Sequence, residues 1–225
     1  MMIELNEVQA RVLGALVEIS LTTPDQYPLS LNSLILACNQ KTSREPVMNL
    51  DEAAVGSALH FLLEKSLAGR IHEAGSRVPK FMHHIEMLLT GADQKTIATI
   101  CVLLLRGAQT PGEIKTRTDR LCEFTSTAEV ESLLQDLTLR AEPWVLKLPR
   151  QPGQKEVRYR HLFSGAPETG SSAAPAAPAA SPVAPASVPA SVDRLTLLEK
   201  RVEALEALVK NLVPIDASPK SQPNG

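Results

Sequence analysis

An internal repeat constrains the fold of this chain more than any other feature of its 225 residues. A shift of 75 residues superimposes two apolar patterns, and the matched pairs are Val55 with Val130, Ala58 with Leu133, Leu59 with Leu134, Leu62 with Leu137 and Ile71 with Leu146. The spacing of each pattern is that of one face of a helix followed by a strand. The repeat predicts two similar domains, and the alternative is two unrelated small α+β domains.

The same order of elements is predicted in both copies. In the first copy, helices are predicted at 5–21 with Asn6 as N-cap, at 31–38 with Ser30 as N-cap and from the Asn49/Glu52 capping box to about 66, followed by strands at 67–72 and 78–83. In the second copy, they are predicted at 94–106 ending at Gly107, from Thr110-Pro111 to about 121 and from the Ser126/Glu129 capping box to about 140, with strands at 144–148 and 157–163.

Three helices followed by a hairpin is the order of a winged helix. The predicted class is therefore mainly α with small β-hairpins (α+β), arranged as two tandem winged-helix domains at residues 1–90 and 91–163.

The C-terminal quarter differs in composition from the rest. Residues 164–191 are almost entirely Ala, Pro, Ser and Gly, which predicts a disordered linker. Residues 192–213 predict an amphipathic coiled-coil helix, and residues 214–225 predict a disordered tail. The seam of that helix consists of Leu195, Leu198, Val202, Leu205, Val209 and Leu212. Arginines at g positions face glutamates at e positions in a parallel pair, which favours a homodimer; the alternative is a helix that folds back onto the domains.

Composition and motifs exclude several classes of protein. The net charge of −2 gives no general attraction to nucleic acid, and three cysteines without C-x-x-C spacing indicate neither a disulfide framework nor a zinc site. The longest apolar run, residues 97–105, is about half of a membrane span, and the N-terminus is not a secretory signal. No nucleotide-binding, metalloprotease or hydrolase motif occurs. We therefore expect a cytoplasmic protein without catalytic activity, cofactor, bound metal or small-molecule substrate.

Several segments together resemble one known family. In the first half they are Thr22-Thr23-Pro24-Asp25-Gln26-Tyr27-Pro28-Leu29-Ser30-Leu31-Asn32, Ala37-Cys38-Asn39-Gln40-Lys41, Arg44-Glu45-Pro46-Val47-Met48-Asn49-Leu50 and Ser76-Arg77-Val78. In the second half they are Leu103-Leu104-Leu105-Arg106-Gly107, Gln109-Thr110-Pro111-Gly112-Glu113 and Leu148-Pro149-Arg150-Gln151-Pro152-Gly153-Gln154. Over about residues 3–163 the chain resembles the YceH-like family of uncharacterised bacterial proteins. The resemblance implies tandem winged helices in a bacterial cytoplasm and no established activity.

The charges argue against the usual mode of winged-helix DNA binding, in which the third helix enters the major groove. Here the third helices carry acids, among them Asp51, Glu52, Glu64, Glu129, Glu131 and Asp136. Cations gather instead on the second helix and wing of the second domain, where the candidates for non-specific phosphate binding are Lys115, Arg117, Arg150, Lys155, Arg158 and Arg160. The alternative is a solvated hairpin with ordinary surface charge.

A long polar stretch, residues 39–49, interrupts the first domain between its second and third helices. Long loops inside small domains are often functional. The candidate partner-binding residues in and before this stretch are Tyr27, Gln40, Lys41, Arg44 and Glu45. The alternative is structural: Arg44 and Glu45 pair internally and Tyr27 packs beneath the loop.

Two functions follow as hypotheses. The first is a dimeric, non-enzymatic binding and assembly module of regulatory class, with an unidentified protein partner and non-specific DNA as a further partner. The second is a DNA-binding transcriptional regulator that contacts the phosphate backbone through the basic second wing.

Overall fold

Three helices and a small sheet form the first half of the described chain. The computed structural model describes residues 3–72, 78–150 and 156–164. The helices are α1 (Glu7–Thr22), α2 (Leu31–Cys38) and α3 (Glu52–Glu64), and the strands are β1 (Leu29–Ser30), β2 (Ala68–Ile71) and β3 (Lys80–His83). Strand β3 lies between β1 and β2 and is antiparallel to both. Short 3₁₀ helices occur at Pro24–Gln26 and Ile85–Met87.

The second half repeats this order with a smaller sheet. Its elements are α4 (Gln94–Arg106), α5 (Pro111–Thr118), α6 (Thr127–Leu139) and the antiparallel strands β4 (Val145–Lys147) and β5 (Tyr159–His161). Gln109 pairs with Tyr159 through an isolated bridge, just as Leu29 of β1 pairs with Phe81 of β3. Each half thus has a short pairing directly before its second helix.

The predicted α+β class is confirmed, and both predicted sets of three helices and a hairpin are present. The winged-helix designation and the domain limits go beyond these observations and stay predictions. The predicted linker, coiled-coil seam and tail, residues 165–225, lie outside the described residues.

Most helix starts follow the predicted caps. The side chain of Asn6 accepts a hydrogen bond from the Gln9 backbone, and Ser30, Thr110 and Ser126 cap α2, α5 and α6 in the same way. The predicted start of α3 at Asn49 is wrong, because Asp51 is its N-cap and accepts from the Ala54 N–H. The cause lies upstream: the Asn39 amide bonds both the N–H and the C=O of Leu50, which holds that backbone out of the helix.

The halves pack through α1 and α4, and their buried side chains form one continuous apolar cluster. Gly14 allows the close approach, since a Cβ there would lie 2.9 Å from Leu105 Cδ2 and 3.2 Å from Leu104 Cβ. The Cys101 thiol donates to the Gly14 carbonyl at 3.4 Å. A further link joins the ends of the described chain, where the Leu5 N–H donates to the Phe163 carbonyl at 2.6 Å.

Candidate functional site

The connection between α2 and α3, residues 39–51, is held from inside by Arg44. This side chain is fully buried and pairs with Glu18 of α1, with 2.6 Å between Nη2 and Oε2. Its Nε and Nη2 donate to the Ala37 carbonyl at 3.0 and 2.8 Å, and its Nη1 donates to the Ser43 carbonyl at 2.9 Å. Arg44 is therefore a structural anchor of the long connection (residues 39–51) and does not reach solvent.

A second buried guanidinium, that of Arg11, approaches the same connection from α1. Its Nη1 donates to the Cys38 carbonyl at 3.2 Å and its Nη2 donates to the Pro46 carbonyl at 2.6 Å. Burial lowers the pKa of Arg11, and repulsion from Arg44 lowers it further. Burial also raises the pKa of the neighbouring Cys38 thiol to about 12, even though both arginines oppose that shift, so this cysteine is protonated and unreactive.

Glu45 extends the long connection to the second half. Its N–H donates to the Leu105 carbonyl of α4 at 2.9 Å, and its carboxylate lies 3.9 Å from Arg117 Nη1 of α5. Of the structural alternative for this stretch, the internal pairing occurs with other partners: Arg44 pairs with Glu18, and Glu45 faces Arg117. Glu18 is far from Arg44 in the sequence, and Arg117 is far from Glu45, so no local sequence signal could have identified these pairs.

The remaining candidates on this loop differ in exposure. Tyr27 is half-buried against β3, where its hydroxyl accepts from the His83 N–H and its ring tilts against the His83 ring at 5.8 Å. Burial is the main cause that raises the Tyr27 pKa to about 12. Gln40 is half-buried, whereas Lys41 and Glu45 are exposed. Lys41, Glu45 and part of Gln40 are therefore the side chains of this set that a partner can reach.

Of the predicted phosphate-binding cations, Arg158 is neutralised by a close carboxylate, whereas Arg117 faces two more distant ones. Arg158 forms a forked pair with Glu113, at 3.1 and 3.2 Å, and also donates to the Ala108 carbonyl. Arg117 lies 3.9 Å from both Glu45 and Glu113. Arg150 is exposed, Lys115 and Arg160 are half-buried, and Lys155 lies outside the described residues. Glu113 was not predicted as the partner of Arg158, and its place in the Thr110 capping box was the available signal.

The outward faces of the third helices are acidic, as predicted. Glu52 and Glu64 of α3 are exposed, and so are Glu131 and Asp136 of α6. Cations at the ends of these helices lie against aromatic rings: the Arg140 guanidinium is 3.7 Å from the Trp144 ring centroid, and Lys65 Nζ is 5.6 Å from that of Phe61.

One serine–histidine pair resembles a nucleophile and its base. Ser20 Oγ lies 2.9 Å from His83 Nε2, and His83 Nδ1 lies 4.0 Å from Glu86. The directions of the hydrogen bonds do not suit a nucleophile and its base, because the Ser20 hydroxyl donates to the Val17 carbonyl and His83 Nδ1 accepts from the Ile85 N–H. His83 must then donate to Ser20, so it cannot take the serine proton. Among the described residues no group of acids, histidines and cysteines has the arrangement of a metal site, and no helix could span a membrane.

Comparison with known proteins places the chain among bacterial relatives. Residues 5–154 match a family model described as a protein of unknown function, DUF480. A UPF0502 protein of Photobacterium profundum is 49% identical over 176 residues, which are 76% of this chain and 79% of the relative. UPF0502 proteins of Aeromonas hydrophila and Saccharophagus degradans are each 44% identical, covering 92% and 95% of this chain and 94% and 98% of the relatives. The resemblance to a family of uncharacterised bacterial proteins is confirmed.

Proposed function

We propose that this chain, which belongs to the DUF480/UPF0502 family of uncharacterised bacterial proteins, is a non-enzymatic binding and assembly module with a regulatory role. Its principal partner in this proposal is a protein. The accessible surface of the long connection, Gln40 and Lys41 with the carboxylate of Glu45, is the proposed contact. The reversed Ser20–His83 hydrogen bond supports the absence of hydrolytic chemistry at that pair.

One observation carries the preference for a protein partner over DNA: carboxylates already lie beside the cations nearest to the second wing. Arg158 is held by both oxygens of Glu113, and the exposed faces of α3 and α6 present acids that phosphate would repel. A protein surface can match such a mixture of signs, whereas a DNA backbone offers only negative charge.

The test is capture of a protein partner by the full chain, followed by measurement of its affinity with purified components. The double change Gln40→Ala with Lys41→Glu should weaken that affinity at least about tenfold, because a rim charge is reversed. Exposed Glu131→Ala on α6 is the control and should leave the affinity unchanged. A partner that binds both variants as tightly as the wild type would contradict the proposed contact.

DNA binding through the second wing is the alternative function, and it rests on the exposed Arg150 together with Arg160 of β5. In the described part of the chain neither of them has an ion-pair partner. A gel-shift titration of the full chain against a random duplex tests this function. Binding at low salt that is lost in the Arg150→Ala/Arg160→Ala variant would favour the regulator. No binding at low salt would eliminate it.

Assembly in this proposal comes from the seam at 195–212, which lies outside the described residues. Sedimentation of the full chain should show a dimer that Leu205→Lys, at a core d position, converts to a monomer. Ala204→Lys introduces the same residue one position away, outside the seam, and should remain dimeric. If the wild type and both variants all sediment as monomers, self-association through the seam is contradicted.

A further inference from the structure

Arg117 of α5 has a buried guanidinium nitrogen that lacks a hydrogen-bond acceptor among the described residues. Its side chain is 26% exposed, yet its Nη1 atom is buried and makes no hydrogen bond within the described residues. The two carboxylates that face it, those of Glu45 and Glu113, both stand at 3.9 Å, beyond hydrogen-bond length. A buried guanidinium nitrogen without an acceptor is costly, since such groups are paired in nearly all folded proteins.

A second arginine lies close to Arg117. Arg106 is the last residue of α4, directly after Leu105, whose carbonyl receives the Glu45 N–H. Its half-buried guanidinium forms no hydrogen bond or ion pair in the part of the chain that the structure describes. Burial lowers the pKa of Arg106, and repulsion by Arg117 is the largest charge effect in the same direction. Two cations therefore lie close together at the junction of α4, α5 and the long connection.

The local charges do not balance. Arg158 occupies both oxygens of Glu113, with 3.1 Å from Nη1 to Oε2 and 3.2 Å from Nη2 to Oε1. Glu18 is likewise taken by Arg44. Arg117 faces Glu113 and the half-exposed Glu45 only at 3.9 Å, and Arg106 has no ion-pair partner among the described residues. The four arginines Arg44, Arg106, Arg117 and Arg158 outnumber the three glutamates Glu18, Glu45 and Glu113, and an anion could neutralise the surplus positive charge.

We propose that Arg106 and Arg117 form a binding site for a small phosphate group, either inorganic phosphate or a phosphomonoester. Planar guanidinium groups bind phosphate oxygens through paired N–H donors, and two of them can share one tetrahedral anion. The half-buried setting strengthens each contact relative to open water. The carbonyl ends of α4 and α5 oppose an anion, so we expect a modest Kd of about 1 mM. The site does not involve Gln40 or Lys41, although it adjoins Glu45, which the proposed protein contact also uses.

Titration of the full chain with inorganic phosphate tests the site, with ³¹P line broadening and thermal stability as readouts and chloride holding the ionic strength constant. Saturable binding should raise the melting temperature as phosphate increases. Arg117→Gln and Arg106→Gln should each weaken the affinity at least about tenfold, since each removes a charged donor pair. Exposed Arg120→Gln, three residues beyond Arg117, removes the same charge nearby and should keep the wild-type affinity.

Glu45→Gln gives the sharper result because it separates a ligand site from a structural ion pair. Removing the competing carboxylate should tighten phosphate binding several-fold, an effect that a purely structural Glu45–Arg117 contact does not produce. Equal phosphate affinity in all of these variants, or no saturable binding, would overturn the proposal. Acetate that binds as tightly as phosphate would also overturn it, in favour of a carboxylate ligand. Binding of methyl phosphate as tight as that of inorganic phosphate would assign the site to phosphomonoesters.

Discussion

The second and third helices of the two halves are equal in length, but the connections between them differ. Helices α2 and α5 both have 8 residues, and α3 and α6 both have 13. The connection in the first half, residues 39–51, is five residues longer than its counterpart in the second half, residues 119–126. The long connection is held by the buried guanidiniums of Arg11 and Arg44, whereas the short one is held by buried Phe124 and a partly exposed Lys95–Glu129 pair.

This difference follows from what each connection must do with its backbone. A short connection can satisfy its polar groups by caps and turns, as the Cys122 N–H does with the Thr118 carbonyl. A long connection that runs against α1 and α4 buries carbonyls that no helix or strand satisfies. Arginine supplies several donors from one side chain, and here two arginines serve the carbonyls of Ala37, Cys38, Ser43 and Pro46. The added residues thereby become a joint between the halves.

The largest effect is expected from Arg44→Met, which removes this anchor. Glu18 and the Ala37 carbonyl would lose their partners inside the protein, and we expect a loss of about 3–5 kcal/mol in the free energy of unfolding. Urea unfolding measures it. Arg44→Lys keeps the charge but lacks the forked donors, so it should lose less. A loss below about 1 kcal/mol for Arg44→Met would show that the long connection does not depend on its buried cation.

The last strands of the two sheets both end in a histidine, and these residues extend the comparison to pH. Burial lowers the pKa of His161 to about 4, and its Nδ1 atom has no hydrogen-bond partner among the described residues. Near pH 6.5 His161 takes up a proton in the unfolded chain but not in the folded chain. Above pH 6.5 it therefore does not affect the free energy of unfolding. As the pH falls to about 4, protonation of the unfolded chain lowers that free energy by about 3 kcal/mol.

His161→Phe should abolish that part of the pH dependence at little cost near pH 7, since the residue already stacks on Phe163 at 6.0 Å. His83→Phe in the first half should instead destabilise near pH 7, because His83 bonds Ser20 and the Ile85 N–H. Unfolding free energies of both variants between pH 7.5 and 4 measure the contrast. An unchanged slope in His161→Phe would refute the assignment to this residue.

A smaller effect is expected at the contact between the halves. Gly14→Ala would place a methyl group 2.9 Å from Leu105 Cδ2 in a buried position. Such overpacking lowers the free energy of unfolding by roughly 1–3 kcal/mol. The higher helix propensity of alanine offsets up to about 1 kcal/mol of that loss. Gly56→Ala in α3 is the matched control, since nothing lies within 4 Å of the added carbon. It should stabilise by about 0.5–1 kcal/mol. Stabilisation by both changes would mean that α1 and α4 can separate without cost.

Local features were predictable, and long-range pairings were not. The bounds of α2 and α4 follow from their caps and apolar spacing, and the structure reproduces them. The start of α3 was mispredicted because Asn39, eleven residues before Leu50, fixes the Leu50 backbone. Strand β1 has two residues, too few for a periodic pattern. The contacts of the candidate site were the least predictable, since the partners of Arg44 and Arg158 lie 26 and 45 residues away in the chain.

The smallest effect is expected at the fastening of the second half. Lys95→Met breaks the partly exposed pair with Glu129. Because water and salt reach and screen this pair, the melting temperature should fall much less than in Arg44→Met. Salt separates the two fastenings further. Adding about 1 M NaCl should erase the small Lys95→Met difference, since screening acts on exposed charges. The Arg44→Met difference should persist, because the Arg44 side chain is inaccessible to ions. Equal salt sensitivity of the two variants would remove the distinction between a buried and an exposed fastening.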